Sequence, residues 1–285
     1  MNLSEDVKYL RLFSNFYNRS YLIDFINKKN NKIKEVLINS NNNLNIFDKI
    51  QDLTYAEFFN YVYRKIKDNY KCEYVYLNEI FVNEILKNHD EEHSIITELY
   101  VNKSQADLVV INGTTTIYEI KTELDSLYRL SKQLNDYVQV FDRVYVVTYL
   151  QMIEKLFLLL NSDENLSKVG VYVLNENGNL VLIKKSGSHK KKLNKDIIFE
   201  ILTRKEFEVF NEDFYLAKDI FTNLSVTKAH NYFKDILFSR GKNTEYLSKL
   251  PESLKLAGYK IQNKLNSSQK EKFYNKLNFK IGEDL

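Results

Sequence analysis

Between residues 94 and 121 the sequence changes from helical to strand-like patterning, and this block limits the folds available to the chain. Residues 94–101 and 114–121 are rich in β-branched and aromatic side chains, and residues 107–111 between them form a continuous aliphatic run. A strand that is apolar on both faces is typical of a sheet covered by helices. Asn112-Gly113, between the second and third strands, is a common hairpin signal.

Helical spacing of apolar residues surrounds this block. From residue 74 the predicted order is helix, three strands, helix, strand, helix and hairpin. The helix after the third strand is predicted to begin at Asp125 and to run for about four to five turns. Two capping boxes are predicted to open further helices, one from Thr54 to Glu57 and one from Thr203 to Glu206.

The pattern predicts three segments along the chain. Residues 1–70 form a helical N-terminal segment, residues 71–186 a central core with the strands, and residues 187–285 a helical C-terminal segment. The helix that ends near Arg240 is followed by Gly241, where a left-handed helix cap is expected.

Composition excludes several classes of protein. The sequence contains no apolar run long enough to cross a membrane, and its acidic N-terminus is unlike a signal peptide. One cysteine, Cys72, cannot form an intrachain disulfide, so we expect a cytoplasmic protein. The glycine-rich phosphate loops of nucleotide-binding folds are missing from the sequence, and the net charge of +3 does not decide whether nucleic acid is a partner.

Three charged residues on neighbouring strands are the best candidates for chemistry: Asp107, Glu119 and Lys121. Glu119 and Lys121 share a face, because side chains alternate along a strand. Charges in a core strand are costly unless they are paired or bound to a metal. Asp107 reaches the same face only if the hairpin loop holds an odd number of residues, and we predict a three-residue loop with Gly113 last.

The order and spacing of these residues resemble the PD-(D/E)XK nuclease superfamily. Asp107 is followed twelve residues later by Glu119-Ile120-Lys121, and then by a predicted helix with Gln133 and Tyr137. The Gln-x-x-x-Tyr helix is similar to that of the RecB-like branch, and more narrowly to a bacterial family known mainly by a locus tag. The resemblance covers roughly residues 75–150, with Ala106 where the superfamily name has proline. It implies an α/β fold with a restriction-endonuclease-like central mixed β-sheet flanked by helices, with helical N- and C-terminal segments.

The resemblance also implies a Mg²⁺-dependent nuclease, with Mn²⁺ as a possible substitute. Asp107, Glu119 and the Ile120 carbonyl would hold the ion, and Lys121 would orient the attacking water. A further acid would complete the site, with Glu98 as the best match and Glu84 or Glu79 as alternatives.

A second group of residues is expected to support the site or to contact nucleic acid: Gln133, Tyr137, Arg129, Lys190, Lys191 and Lys192. Each has a structural alternative. Tyr137 could be a core aromatic, Gln133 could be solvated, Arg129 could pair with Asp125, and the three lysines could belong to a solvated linker. Glu119 and Lys121 could likewise form a structural ion pair.

The predicted partner is nucleic acid, with DNA favoured over RNA, and a homodimer is possible. Two other functions stay open. One is a catalytically inactive nucleic-acid-binding module on the same fold. The other is a helical DNA-binding or partner-docking protein in which residues 196–285 recognise the partner.

Overall fold

The structure, a computed structural model, describes residues 3–28, 31–44, 50–87, 93–241 and 245–284. The chain divides into two compact units, which we call the helical unit (residues 1–86 and 243–285) and the sheet unit (residues 87–242). This division differs from the three predicted segments. The two ends of the chain share one unit, and residues 187–242 belong with the sheet.

The N-terminal part of the helical unit contains the helices α1 (Leu3–Ser14), α2 (Arg19–Asn27), α3 (Lys32–Leu44), α4 (Tyr55–Asn69) and α5 (Glu73–Glu79), with a π-helical continuation over Ile80–Leu86. The capping box predicted at the start of α4 is confirmed. The Glu57 N–H donates to Thr54 Oγ1 at 3.2 Å, and the Thr54 N–H donates to the Glu57 carboxylate at 2.8 Å.

The sheet unit is built on a mixed sheet whose strands follow the chain order: β1 (Ser94–Val101), β2 (Ser104–Asn112), β3 (Thr114–Ile120), β4 (Arg143–Tyr149), β5 (Gly170–Leu174) and β6 (Leu180–Lys184). The β3–β4 and β4–β5 pairs are parallel, and the other neighbouring pairs are antiparallel. The predicted mixed α/β fold with helical terminal segments is therefore confirmed.

The helices of the sheet unit share one hydrophobic core with the strands: α6 (Leu130–Tyr137), α7 (Ile153–Asn161), α8 (Lys195–Glu200), α9 (Arg204–Phe207), α10 (Phe214–Thr222) and α11 (Val226–Arg240). Phe199, Phe221 and Phe233 are fully buried in this core together with Val109 of β2 and Val146 of β4. Burial of these rings explains why residues 187–242 belong with the sheet and not with the C-terminal helices.

Two predictions for these helices are wrong. Helix α6 begins at Leu130 and not at Asp125, because the Asp125 carboxylate accepts from the N–H and hydroxyl of Thr122 and closes a turn there. Gly241 has φ −68° and is not left-handed. Glycine is required there for space, since a Cβ at Gly241 would overlap Ser94.

The chain then returns to the helical unit with α12 (Lys255–Ile261), α13 (Ser267–Leu277) and α14 (Ile281–Asp284). Phe273 lies against Phe25 with ring centroids 6.3 Å apart, so the N- and C-terminal helices share a core. Among the residues described, no helix has the length and apolar character needed to cross a membrane.

Candidate active site

The β2–β3 hairpin brings the two predicted carboxylates to one face of the sheet. Ile111 pairs with Thr115, and Leu108 pairs with Tyr118. Continuing this register by one residue places Asp107 opposite Glu119. The prediction of an odd-numbered loop is therefore confirmed, but Gly113 is the central residue of the turn and not the last. Its φ of +65° explains the glycine.

Asp107 is fixed to the strand that carries Glu119. Its Oδ2 accepts a hydrogen bond of 2.7 Å from the backbone N–H of Ile120. The N–H and C=O of a strand residue point to the same side, so the Ile120 carbonyl also faces β2. The side chain of Asp107 is half-buried. One carboxylate and one backbone carbonyl thus lie together at the end of β3.

Glu119 is the centre of the hydrogen-bond network, and only 1% of it is exposed. Lys121 Nζ lies 2.6 Å from Glu119 Oε1, and Gln133 Nε2 donates to the same oxygen at 2.6 Å. The Tyr137 hydroxyl lies 3.0 Å from Glu119 Oε2 and 2.8 Å from the backbone carbonyl of Gln105. Both predicted residues of α6 therefore contact the catalytic candidate itself.

Burial dominates the electrostatics of this site. It raises the pKa of the Glu119 carboxyl, and the Lys121 ammonium is the largest influence against that rise. Burial also raises the pKa of the Tyr137 hydroxyl far above its ordinary value, and the carboxylates of Glu119 and Asp107 raise it further. Tyr137 is thus a neutral donor beside both acids.

Lys121 stands at the point where β3 leaves the sheet. Its N–H donates to the carbonyl of Val147 at 2.9 Å, and its carbonyl accepts from Thr148 Oγ1 at 2.8 Å. These bonds to β4 hold the backbone on both sides of the lysine. The ammonium is therefore presented to Glu119 from a fixed strand end.

Glu98 lies on β1, opposite Asp107, because its neighbours Thr97 and Leu99 pair with Leu108 and Ala106. Its backbone is left-handed, with φ +62°, and its side chain is exposed. Such a conformation is unusual for a residue other than glycine. In the described part of the chain, no three His, Cys, Asp or Glu side chains come close enough to hold a metal ion together.

The two alternative acids belong to the helical unit. Glu79 is buried, accepts from the Tyr63 hydroxyl at 2.9 Å and forms an ion pair of 2.9 Å with Lys67. Glu84 lies in the π-helical continuation of α5 and is half-buried. The contacts of Glu79 are those of a structural ion-pair network.

The predicted basic residues are not hydrogen-bonded to the carboxylate of Glu119. Arg129 is exposed just before α6, while the Asp125 carboxylate is bonded to Thr122. Lys190, Lys191 and Lys192 form a short 3₁₀ turn. Lys192 Nζ donates to Asn165 Oδ1 at 2.7 Å, and Lys190 lies 3.9 Å from Asp142. A role of these residues in nucleic-acid binding stays a prediction.

Asp136 is a supporting residue that the sequence reasoning missed. It accepts from Asn102 at 2.9 Å and from Ser104 Oγ at 2.5 Å, and so fixes the turn between β1 and β2 to α6. Asn102 is left-handed, with φ +53°. This turn leads into Gln105, whose carbonyl oxygen lies 2.8 Å from the Tyr137 hydroxyl. In the sequence Asp136 stands out only as an acid next to Tyr137, and the fold is needed to identify Asn102 and Ser104 as its partners.

The oxygens in this site are of the kind that Mg²⁺ prefers: two carboxylates and a backbone carbonyl. Asp107, Glu119 and Ile120 would supply them from two adjacent strands. Glu119 would have to exchange one of its present hydrogen-bond partners for the ion. The donor set therefore fits a divalent cation that keeps several of its waters.

Comparison with known proteins gives a family for the chain. The family described as "Bacteriophage P4 protein cII" matches residues 66–256. Protein cII of Enterobacteria phage P4 is 28% identical over 148 residues, which are 50% of this chain and 50% of that protein. The chain thus matches about half the length of this curated relative.

Among solved structures, Pyrococcus furiosus SfsA in complex with Ca²⁺ matches with 15% sequence identity and a TM-score of 0.25. The match covers 46% of this chain and 64% of the SfsA chain. A TM-score this low supports no inference. The description of the matching family does not mention PD-(D/E)XK nucleases. The resemblance to that superfamily therefore stays a prediction. Because the match to residues 66–256 spans well over half of the sequence, the chain belongs to the bacteriophage P4 protein cII family.

Proposed function

We propose that this protein is a metal-dependent nuclease that hydrolyses phosphodiester bonds. The observation that carries the proposal is the placement of Asp107 opposite Glu119, with Lys121 bonded to Glu119 and Gln133 and Tyr137 holding it from α6. This is the residue set on which the resemblance to the PD-(D/E)XK superfamily rests, now joined by hydrogen bonds.

Asp107, Glu119 and the Ile120 carbonyl would bind Mg²⁺ or Mn²⁺. Glu98 stays the predicted further acid, and its side chain would have to move towards the two carboxylates to reach the ion. When bound, the ion supplies a water of lowered pKa and neutralises charge on the scissile phosphate. Lys121 would orient the attacking water and stabilise the negative charge that develops on the phosphate.

Gln133 and Tyr137 are assigned a positioning role. Their donors fix the orientation of the Glu119 carboxylate, as outer hydrogen-bond partners do for metal ligands. DNA is the proposed substrate class, ahead of RNA, and this preference rests on the RecB-like resemblance alone. A cytoplasmic location and a homodimer stay predictions.

Cleavage assays test the proposal. Purified protein is incubated with linear, circular and single-stranded DNA and with RNA, in Mg²⁺, Mn²⁺ or EDTA. We expect cleavage that EDTA abolishes and that Asp107→Ala, Glu119→Ala and Lys121→Ala each remove while the protein stays folded. Glu154→Gln, an exposed acid on α7, is the matched control and should cut as wild type. Cleavage by Glu119→Ala at the wild-type rate would refute the proposal.

A catalytically inactive nucleic-acid-binding module is the second candidate, and one observation favours it. Both carboxylate oxygens of Glu119 already have protein partners. In this case the protein binds nucleic acid in every metal condition without cutting it, and Glu119→Gln leaves the affinity unchanged.

A further inference from the structure

Two exposed tyrosines lie on segments that border the candidate site. Tyr128 is 92% exposed in the loop that joins Lys121 to α6. Tyr100 is 65% exposed on β1, where it pairs with Gln105, the residue whose carbonyl oxygen lies 2.8 Å from the Tyr137 hydroxyl. Each ring therefore stands on a segment that is directly connected to the network around Glu119.

The loop that carries Tyr128 is held by its own hydrogen bonds. Thr122 donates twice to the Asp125 carboxylate at 2.8 Å, and the Leu130 N–H donates to the Leu127 carbonyl at 3.0 Å. Leu127 packs against the core of the sheet unit. The loop is thus anchored at both ends and still presents Tyr128 to solvent. Because the Tyr128 ring stays in water, its burial contributes almost no free energy to folding.

Exposed cations stand close in the sequence to both tyrosines. Arg129 directly follows Tyr128, Lys132 lies in the first turn of α6, and Lys103 lies in the turn after β1; all three are exposed. The exposed acids there are Glu98, the predicted further acid of the site, Glu123, and Asp125, whose carboxylate accepts from Thr122. Aromatic rings beside cations are the usual surface for unpaired nucleotides, because every base has a face that stacks and every phosphate attracts a cation.

We infer that Tyr128 and Tyr100 form a stacking rim that binds unpaired bases of the nucleic acid at the candidate site. The inference rests on the proposed function, which it deepens by naming single-stranded or frayed nucleic acid as the preferred substrate form. Bases in an intact duplex are already stacked on their neighbours and gain little from these rings.

Binding experiments without cleavage test this inference separately from the nuclease proposal. A labelled single-stranded oligonucleotide and its duplex are titrated with wild type, Tyr128→Ala, Tyr128→Phe and Tyr100→Ala in EDTA and in Ca²⁺. We expect Tyr128→Ala to weaken single-strand binding roughly 5- to 100-fold, with a smaller loss for Tyr100→Ala, and Tyr128→Phe to bind as wild type. Duplex binding should change less than about twofold in every variant.

Tyr215→Ala, a 79% exposed tyrosine on α10, is the control and should not change either affinity. A 2-aminopurine base in the single strand reports stacking directly, since its fluorescence should fall on binding to wild type and not on binding to Tyr128→Ala. Single-strand affinity that is equal in wild type and Tyr128→Ala would overturn the inference, as would no single-strand binding by wild type. If either result overturns the inference, metal-dependent cleavage that persists in Tyr128→Ala would still support the proposed function.

Discussion

Replacing Lys121 by methionine measures how much the folded protein depends on the ammonium that neutralises the buried Glu119 carboxylate. The change leaves Glu119, which is 1% exposed, without the ammonium 2.6 Å away, while the methionine keeps most of the volume of the lysine stem. Breaking a buried ion pair on one side costs about 3–5 kcal/mol. Gln133 and Tyr137 still donate to the carboxylate, so we expect the lower end of this range, about 3 kcal/mol, at pH 8.

The penalty should depend on pH with a definite sign. Burial already raises the pKa of Glu119, and loss of Lys121 removes the main influence against that rise. A carboxyl whose pKa is higher in the folded state binds more protons there, so its folded state gains stability as the pH falls. One such proton changes the free energy of unfolding by at most about 1.4 kcal/mol per pH unit. The penalty should therefore be largest at pH 8 and smaller at pH 5.

Urea unfolding followed by far-UV circular dichroism measures the free energy of unfolding at both pH values. Hydrogen exchange of the β3 amides assigns the loss to the sheet unit, because two units need not unfold together. Lys218→Met, which breaks an exposed 2.7 Å pair with Glu200, is the control and should cost less than about 1 kcal/mol. The double variant Glu119→Gln/Lys121→Met should recover most of the lost stability. A cost below about 1 kcal/mol for Lys121→Met, or the same cost at both pH values, would refute the reasoning.

Three further predictions concern the sheet unit. Arg240→Lys keeps the charge but loses the fork that bonds both oxygens of Glu206 at 2.8 and 2.6 Å, so the melting temperature should fall by the equivalent of about 1 kcal/mol; an unchanged value contradicts this. Gly241→Ala should cost about 1–3 kcal/mol in urea unfolding, because its Cβ overlaps Ser94, and a neutral result would show that the contact relaxes. Burial raises the pKa of Asp142, but hydrogen bonds from two hydroxyls outweigh it and hold the pKa below its ordinary value. The stability that this carboxylate adds is therefore present above about pH 4 and is lost as the pH falls further. In Asp142→Asn the melting temperature should fall less steeply below about pH 4 than in wild type, and an unchanged slope would refute this.

Local patterns in the sequence determined much of the fold. The order of strands and helices, the capping box at Thr54 and the shared face of Asp107 and Glu119 all depend on periodicity or turn chemistry within a few residues. The start of α6 could not be predicted in this way. The bond from Thr122 to Asp125 competes with helix formation, and periodicity does not show which of the two wins.

The parts of the site that depend on distant contacts were beyond the sequence. Asp136 has partners more than thirty residues away, at Asn102 and Ser104, and no local pattern reports them. The left-handed backbone of Glu98 lies between the ladder pairs of Thr97 and Leu99, and the residue type itself does not predict it. The division of residues 187–285 between two units likewise follows from which apolar faces find a core.

Calorimetric titration of the folded protein with Mn²⁺ is the most direct measurement of whether Asp107 and Glu119 hold a divalent cation. We predict one saturable site per chain in wild type, lost in Asp107→Asn and in Glu119→Gln, with binding that tightens as the pH rises and Glu119 loses its proton. Unaltered Mn²⁺ binding in both folded variants would contradict the account.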